Sequence, residues 1–267
     1  MQDSTAIEKS NRADLAFGFQ LLGDYARFIC DAVCYRYQEV INGCAGFIKT
    51  FDDLYARSLQ AMTSEELAAS NKEAYTNVQD FRKYLLTVLK GQIDQNIVIH
   101  ENPQTMNMMV NTTELLLDGL AAYMRGEYPD TSTLATVWME NILITALDIE
   151  NHIGNLYFEK KTKAREFAEL FLKLHMKSLT LDGMRRTGMK DFPALTEFYG
   201  EIQLAMVGYA ELLVDLIRLI SDKKYTGMLT LLDVDSTYRR ACFFMTKLSQ
   251  ISDIPAPVCD PASPRMG

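Results

Sequence analysis

The chain has 267 residues, 48% hydrophobic and 23% charged, with 27 basic against 35 acidic side chains and a net charge of -8. That acidic surplus repels phosphate backbones and argues against a nucleic-acid partner. No apolar run reaches the roughly 18 residues of a membrane span, and the opening stretch MQDSTAIEKSNRADL lacks the apolar segment of a secretory signal.

A chain of this length forms one large domain or two smaller ones. Helix breakers are scarce: there are 14 Gly and seven Pro, and four of the prolines fall in the final stretch SDIPAPVCDPASPRMG. Apolar residues recur at i, i+3, i+4 and i+7, which predicts an all-α protein. The first helix is expected near 11–36 and the second near 38–61. TSEE at 63–66 is a capping box, with Thr63 taking a backbone N–H and Glu66 reaching back, so a third helix is expected over 64–91. Asn102-Pro103 opens a fourth over 104–125, with proline at the entry where its missing N–H costs nothing. MRGEYPDTST at 124–133 has loop composition and divides the chain. Four more helices are expected near 132–155, 159–187, 193–222 (opened by Phe192-Pro193) and 228–250. Residues 252–267 cannot continue a helix and are expected to be extended or disordered.

The halves look alike. DLAFGFQLLGDYARFI from Asp14 lies over LATVWMENILITALDI from Leu134, FDDLYAR at 51 over FAELFLK at 167, and MNMMVNTTELLLDGL from Met106 over VDSTYRRACFFMTKL from Val234. Four long amphipathic helices taken twice predict two four-helix bundles, over 1–126 and 127–251, followed by the tail.

Five cysteines, Cys30, Cys34, Cys44, Cys242 and Cys259, form no secreted-scaffold pattern and are expected as reduced thiols of a cytoplasmic protein. Cys30 and Cys34, at i and i+4, read as small buried residues, with soft-metal binding or oxidation as the alternative. Cys259 in the tail is expected as an ordinary terminus residue or, alternatively, an accessible thiol able to link two chains. MNMM at 106–109 reads as core rather than a Cu(I) or partner face, KKTKAR at 160–165 as a solvated first helical turn, and NGCAG at 42–46 as a Gly-x-x-Gly turn. No phosphate loop and no nucleophile elbow is present.

The phrases FQLLGDYARFI (19–29), NMMVNTTELLL (107–117), GMRRTGMKDFPAL (183–195) and DSTYRRACFFMTKLSQ (235–250) resemble a bacterial family of tandem ferritin-like helical bundles, domain of unknown function 2935. The resemblance covers nearly all of the chain to about residue 250 and implies inward-facing His and Glu where iron or manganese binds. Carried over, its histidine positions fall on Leu15 and Ala135, on Tyr25 and Thr145, and on Met108 and Ser236. Its glutamates fall on Thr112 and Arg240, and a further one on Thr180. Independently of the family, His100, His152 and His175 are the only histidines, and none closes a Glu-x-x-His pair. The site therefore reads as vestigial. Arg240 is expected either to sit where a metal cation would, held by Glu140, Asp148 or Glu211, or to reach solvent beside Arg239.

Three functions follow as expectations. The first is a non-catalytic structural or interaction protein on a metal-free double bundle, with a protein partner or self-association and no cofactor. The second is an iron or manganese oxidoreductase or storage protein with a rearranged site drawn from Asp14, Asp24, Glu114, Asp148, Glu150 and His152. The third is a small-molecule binder using an emptied cavity at Tyr25, Met108 and Thr112. A cytoplasmic location is expected, with spore association as the alternative.

Overall fold

The computed structural model describes residues 4–131, 133–189 and 191–266. The first three residues of the polar N-terminal stretch, Ser132 of the central loop, Lys190 of GMRRTGMKDFPAL and Gly267 lie outside them. The protein is all-α. Its helices are α1 (Ser4–Ala32), α2 (Gln38–Ser58), α3 (Ser64–Ile93), α4 (Pro103–Met124), α5 (Leu134–His152), α6 (Phe158–Arg185), α7 (Pro193–Ser221) and α8 (Leu231–Ile251). A short 3-10 turn, Asn155–Tyr157, precedes α6. The chain divides into two compact units, 1–130 and 131–267, of four helices each.

In unit 1, α1 packs on α2 and α4, and α3 packs on α4 and α2. Thr63 and Glu66 form the expected capping box of α3. Asn102 caps α4 by accepting the Gln104 N–H, with Pro103 at the first helical position. An expectation corrected here is the end of α1. The helix stops at Ala32, not near 36, because Val33 pairs with Ile99 in an isolated antiparallel bridge. That bridge draws on residues some 66 positions away, which local periodicity does not register. A second correction is NGCAG, which lies inside α2 and is not a turn. There Gly43 leaves room for Tyr84: a Cβ would lie 2.6 Å from the ring. The phenol uses that space to donate to the Val40 carbonyl at 2.8 Å.

In unit 2, α5 packs on α6 and α8, and α7 on α6 and α8. A second capping box opens α8, with Thr230 and Asp233 exchanging bonds. Its sequence, TLLD, uses Asp where the usual box has Glu or Gln. After α8 the chain is extended, as expected, but it is fastened. Cys259 is disulfide-bonded to Cys242, with Cα atoms 6.1 Å apart. This corrects the expectation of five reduced thiols and of an accessible Cys259. The tail turns back along α8, a long-range approach that spacing alone does not reveal.

The interiors of the two units repeat one arrangement of rings. In unit 1, Phe47 stacks on Phe51 at 6.0 Å and 20°, and Phe81 meets Phe51 edge-on at 5.2 Å and 81°. In unit 2, Phe167 stacks on Phe171 at 6.1 Å and 23°, and Tyr209 meets Phe171 edge-on at 5.0 Å and 77°. Phe47 thus corresponds to Phe167 and Phe51 to Phe171. The expected match of FDDLYAR with FAELFLK is out of register by one helical turn. Helix ends repeat as well. Gln95 after α3 (φ 59°) and Lys223 after α7 (φ 57°) both adopt the left-handed conformation. The next N–H in each case reaches back to a helix carbonyl, Asn96 to Gly91 at 2.8 Å and Lys224 to Leu219 at 3.0 Å.

A side chain in that conformation costs about 1 kcal/mol, which glycine avoids. Lys223→Gly is therefore expected to raise stability by about 0.5–1 kcal/mol, read as a higher urea midpoint with an unchanged m-value.

Candidate functional site

Unit 2 holds a polar group of residues inside its bundle. Arg240, on α8, is 2% exposed. Its guanidinium donates to Ser236 Oγ one turn earlier, at 3.2 Å. Asp148, on α5, is half-buried; burial pushes its carboxyl up to about 6, while His152 and Arg240 draw it down and Asp233 adds to the rise. Tyr209, on α7, is fully buried, and its hydroxyl has no hydrogen-bond partner among the described residues. Burial raises that phenol far above its ordinary range, Asp148 adding to the effect and Arg240 opposing it. Three helices thus bring an acid, a cation and a phenol into one electrostatic neighbourhood. Such groups, out of water, interact strongly.

Of the acids expected to hold Arg240, Asp148 lies within its electrostatic reach, Glu140 is half-buried on the same helix as Asp148, and Glu211 is exposed. The alternative, in which Arg239 and Arg240 reach solvent together, is not found. Arg239 is 1% exposed and bonds Asp235 at 3.0 Å, one turn away on the same helix. An acid at i−4 satisfies a buried guanidinium without leaving the helix.

In unit 1 the matching positions are filled by packing. Tyr25 is fully buried and donates to Met108 Sδ at 3.5 Å. Thr112 donates to the Met108 carbonyl at 2.9 Å and lies 3.8 Å from its sulfur. Leu15, also on α1, is buried. Met108 and Thr112 sit one turn apart on α4, as Ser236 and Arg240 do on α8. Ala135 and Thr145, both on α5, are buried, and the Thr145 hydroxyl bonds back to the Asn141 carbonyl at 3.0 Å. Thr180 is the exception: it is exposed on α6 and bonds the Met176 carbonyl. Met106, Met108 and Met109 are core residues.

Three acids of the expected rearranged metal site are engaged by other side chains. Asp14 accepts from the Tyr123 hydroxyl at 2.6 Å, Glu114 from Arg82 at 2.6 Å and Glu150 from Arg165 at 2.9 Å. Asp24 is fully buried. Among the described residues, no three His, Cys, Asp or Glu side chains are grouped to hold a metal ion.

The remaining cysteines lie in unit 1. Cys44 is buried, bonded to the Val40 carbonyl at 3.0 Å and 3.1 Å from the Tyr84 hydroxyl. Burial pushes its thiol up to about 11. Cys34 Sγ lies 3.7 Å from His100 Nε2. Two backbone bonds hold that pair, Cys34 N–H to Val98 O at 3.3 Å and His100 N–H to Ala32 O at 2.9 Å. Sequence spacing gives no sign of it; only an expected strand-like pairing of Val33 with Ile99 would have.

The chain is similar in structure to an uncharacterized protein from Bacillus cereus G9241. A crystal structure of that protein superposes with a TM-score of 0.89 and 26% sequence identity, covering 96% of each chain. The eight-helix fold is therefore shared from end to end. No family model matches the chain, and no curated protein matches it.

Two outcomes are expected from this geometry. Arg240→Ala removes a buried guanidinium together with its bond to Ser236 and is expected to lower stability by about 1–3 kcal/mol at pH 7, measured by urea unfolding. The Asp148 carboxyl holds its proton to about pH 6 in the folded protein, against 3.8 as its ordinary value. The folded state then binds more protons than the unfolded one between these values, so this group's contribution falls as pH rises through that window. In Asp148→Asn that fall is absent, and the variant's stability relative to wild type should improve by about 2 kcal/mol from pH 4 to pH 7. Parallel urea curves for the two proteins at both pH values check the sign.

Proposed function

We propose that this chain is a non-catalytic structural or interaction protein, built on two ferritin-like bundles whose metal-ligand positions have been taken over by packing and by an internal cation. The observation that carries the reading is Arg240. A guanidinium, always charged, lies inside unit 2 at a position where the family resemblance places a metal-ligating glutamate. A bound divalent ion beside a fixed cation is electrostatically unfavourable, and Arg240 acts on Asp148 as such an ion would.

Unit 1 supports the same reading differently. Tyr25, Met108 and Thr112, the residues expected to line an emptied cavity, contact one another. The repeated ring geometry and the repeated left-handed helix ends support descent from a duplicated bundle. Exposed apolar side chains favour a partner over a solitary role: Leu172, Met176 and Leu179 form one stripe of α6, and Leu204 and Val207 stand out on α7. Such stripes are common features of interaction surfaces. The Cys242–Cys259 disulfide favours an oxidising setting over the reducing cytoplasm.

Metal content of the purified protein tests the proposal, after expression with iron, manganese, zinc and copper and measured by mass spectrometry. Less than about a tenth of an equivalent of each metal is expected. About one or two equivalents of iron or manganese, lost on substituting Asp148, would overturn it in favour of a carboxylate metal site.

A further inference from the structure

The tail is fastened to α8 at residues 259 and 266. Cys259 is bonded to Cys242, and the Met266 N–H donates to Asp235 Oδ2 at 3.2 Å. Asp235, Arg239 and Cys242 stand at i, i+4 and i+7, so they share one stripe of α8. The tail meets both ends of that stripe in the opposite direction to the helix, residue 259 at 242 and residue 266 at 235. Between the two points it makes a turn, with Ser263 N–H to the Asp260 carbonyl at 3.1 Å and Ala262 N–H to Asp260 Oδ1 at 2.9 Å. All three members of the stripe are buried, the ion pair at 1% and Cys242 at 3%.

What holds the tail down is unequal in kind. Its composition is poor in large apolar side chains, and Val258, beside the disulfide, projects fully into solvent. Hydrogen bonds such as that of Met266 to Asp235 yield a small net gain, because each exchanges with water. Ordering the non-helical run 252–266 costs the conformational freedom of every residue in it. A covalent link across 17 positions removes part of that cost in advance, by confining the tail in the open state as well.

We propose that the segment 252–266 is a redox-released strap, latched on α8 by the Cys242–Cys259 disulfide and freed when a dithiol reductant opens it. In the opening step one thiolate of the dithiol attacks Sγ of Cys259, the more exposed residue of the two. The protein S–S bond breaks, and Cys242 leaves as a thiolate and takes a proton. The second thiol of the reductant, deprotonated, then attacks the mixed disulfide, releasing Cys259 as a thiol. Two electrons pass to the protein, and the reductant ends as a cyclic disulfide. Release uncovers the Asp235–Arg239–Cys242 stripe, with its charged pair and a new thiol. The inference does not depend on whether the bundles bind metal.

Hydrogen exchange read by mass spectrometry on the full chain tests it, before and after treatment with dithiothreitol under native conditions. Intact mass first establishes the oxidised state of the pair. On reduction, amides of 253–266 are expected to exchange at least about tenfold faster, while α5 to α7 stay protected. Cys259→Ser, without reductant, should give the same fast tail. The proposal is overturned if the tail keeps its protection after the mass shows the disulfide open, or if purified protein carries both cysteines as thiols. It is equally overturned if Cys259→Ser leaves tail exchange as slow as in the oxidised wild type.

Discussion

A guanidinium kept from water dictates terms to everything around it. Arg240 sits inside unit 2, so the surrounding helices must offer acceptors and negative charge, or the bundle is destabilised by several kcal/mol. Ser236 supplies an acceptor from the preceding turn, and Asp148 supplies charge from α5. Asp148 is itself strained by the arrangement, since burial resists its ionisation more than Arg240 favours it. Arg239, next in sequence, faces another direction and solves the same problem with Asp235. Consecutive residues on a helix diverge by about 100°, so one short segment of α8 carries two separate buried cations toward two different sets of neighbours.

Unit 1 fills the positions that match Ser236 and Arg240 without a charged side chain. Where unit 2 has Ser236 and Arg240, unit 1 has Met108 and Thr112, and a tyrosine from α1 closes the gap. Methionine suits that role, because its flexible thioether adapts to irregular space and accepts a weak bond from the phenol. The ring trio is common to both units and tolerates one hydroxyl: Phe81 in unit 1 corresponds to Tyr209 in unit 2. That hydroxyl is what brings a polar atom to the Asp148 and Arg240 neighbourhood. The difference between the interiors therefore comes down to a few side chains on an otherwise repeated scaffold.

The helices were legible in the sequence because their causes are local. Apolar spacing, the Thr63–Glu66 box, and prolines 103 and 193 each act within a turn or two, and the observed bounds follow them. The misread features have distant causes. α1 ends early because residue 99 pairs with residue 33, and Cys259 loses its thiol because the tail returns to Cys242. The Cys34–His100 pair depends on the same bridge. The halves were expected to match, and their ring trios are alike, but the register of that likeness in the second helix was not legible. FDDLYAR and FAELFLK match as letters, whereas the rings that actually correspond begin four residues earlier in the first copy. The burial of Arg240 was within reach, since the alternatives were a solvated or a held cation; choosing between them required the depth of α8.

Gly43 and Gly46 lie three residues apart on α2 and face unlike surroundings. A Cβ at the first would press on the Tyr84 ring, while a Cβ at the second would meet no neighbouring group within 4 Å. Evolutionary drift should therefore treat them differently. At 46 almost any helix former is admissible, and replacing glycine even favours the helix. At 43 the sequence is closed, because a larger residue displaces the phenol that anchors α3 to α2 through the Val40 carbonyl. A single turn of one helix thus separates a position with room for a larger side chain from one whose space the Tyr84 ring already takes.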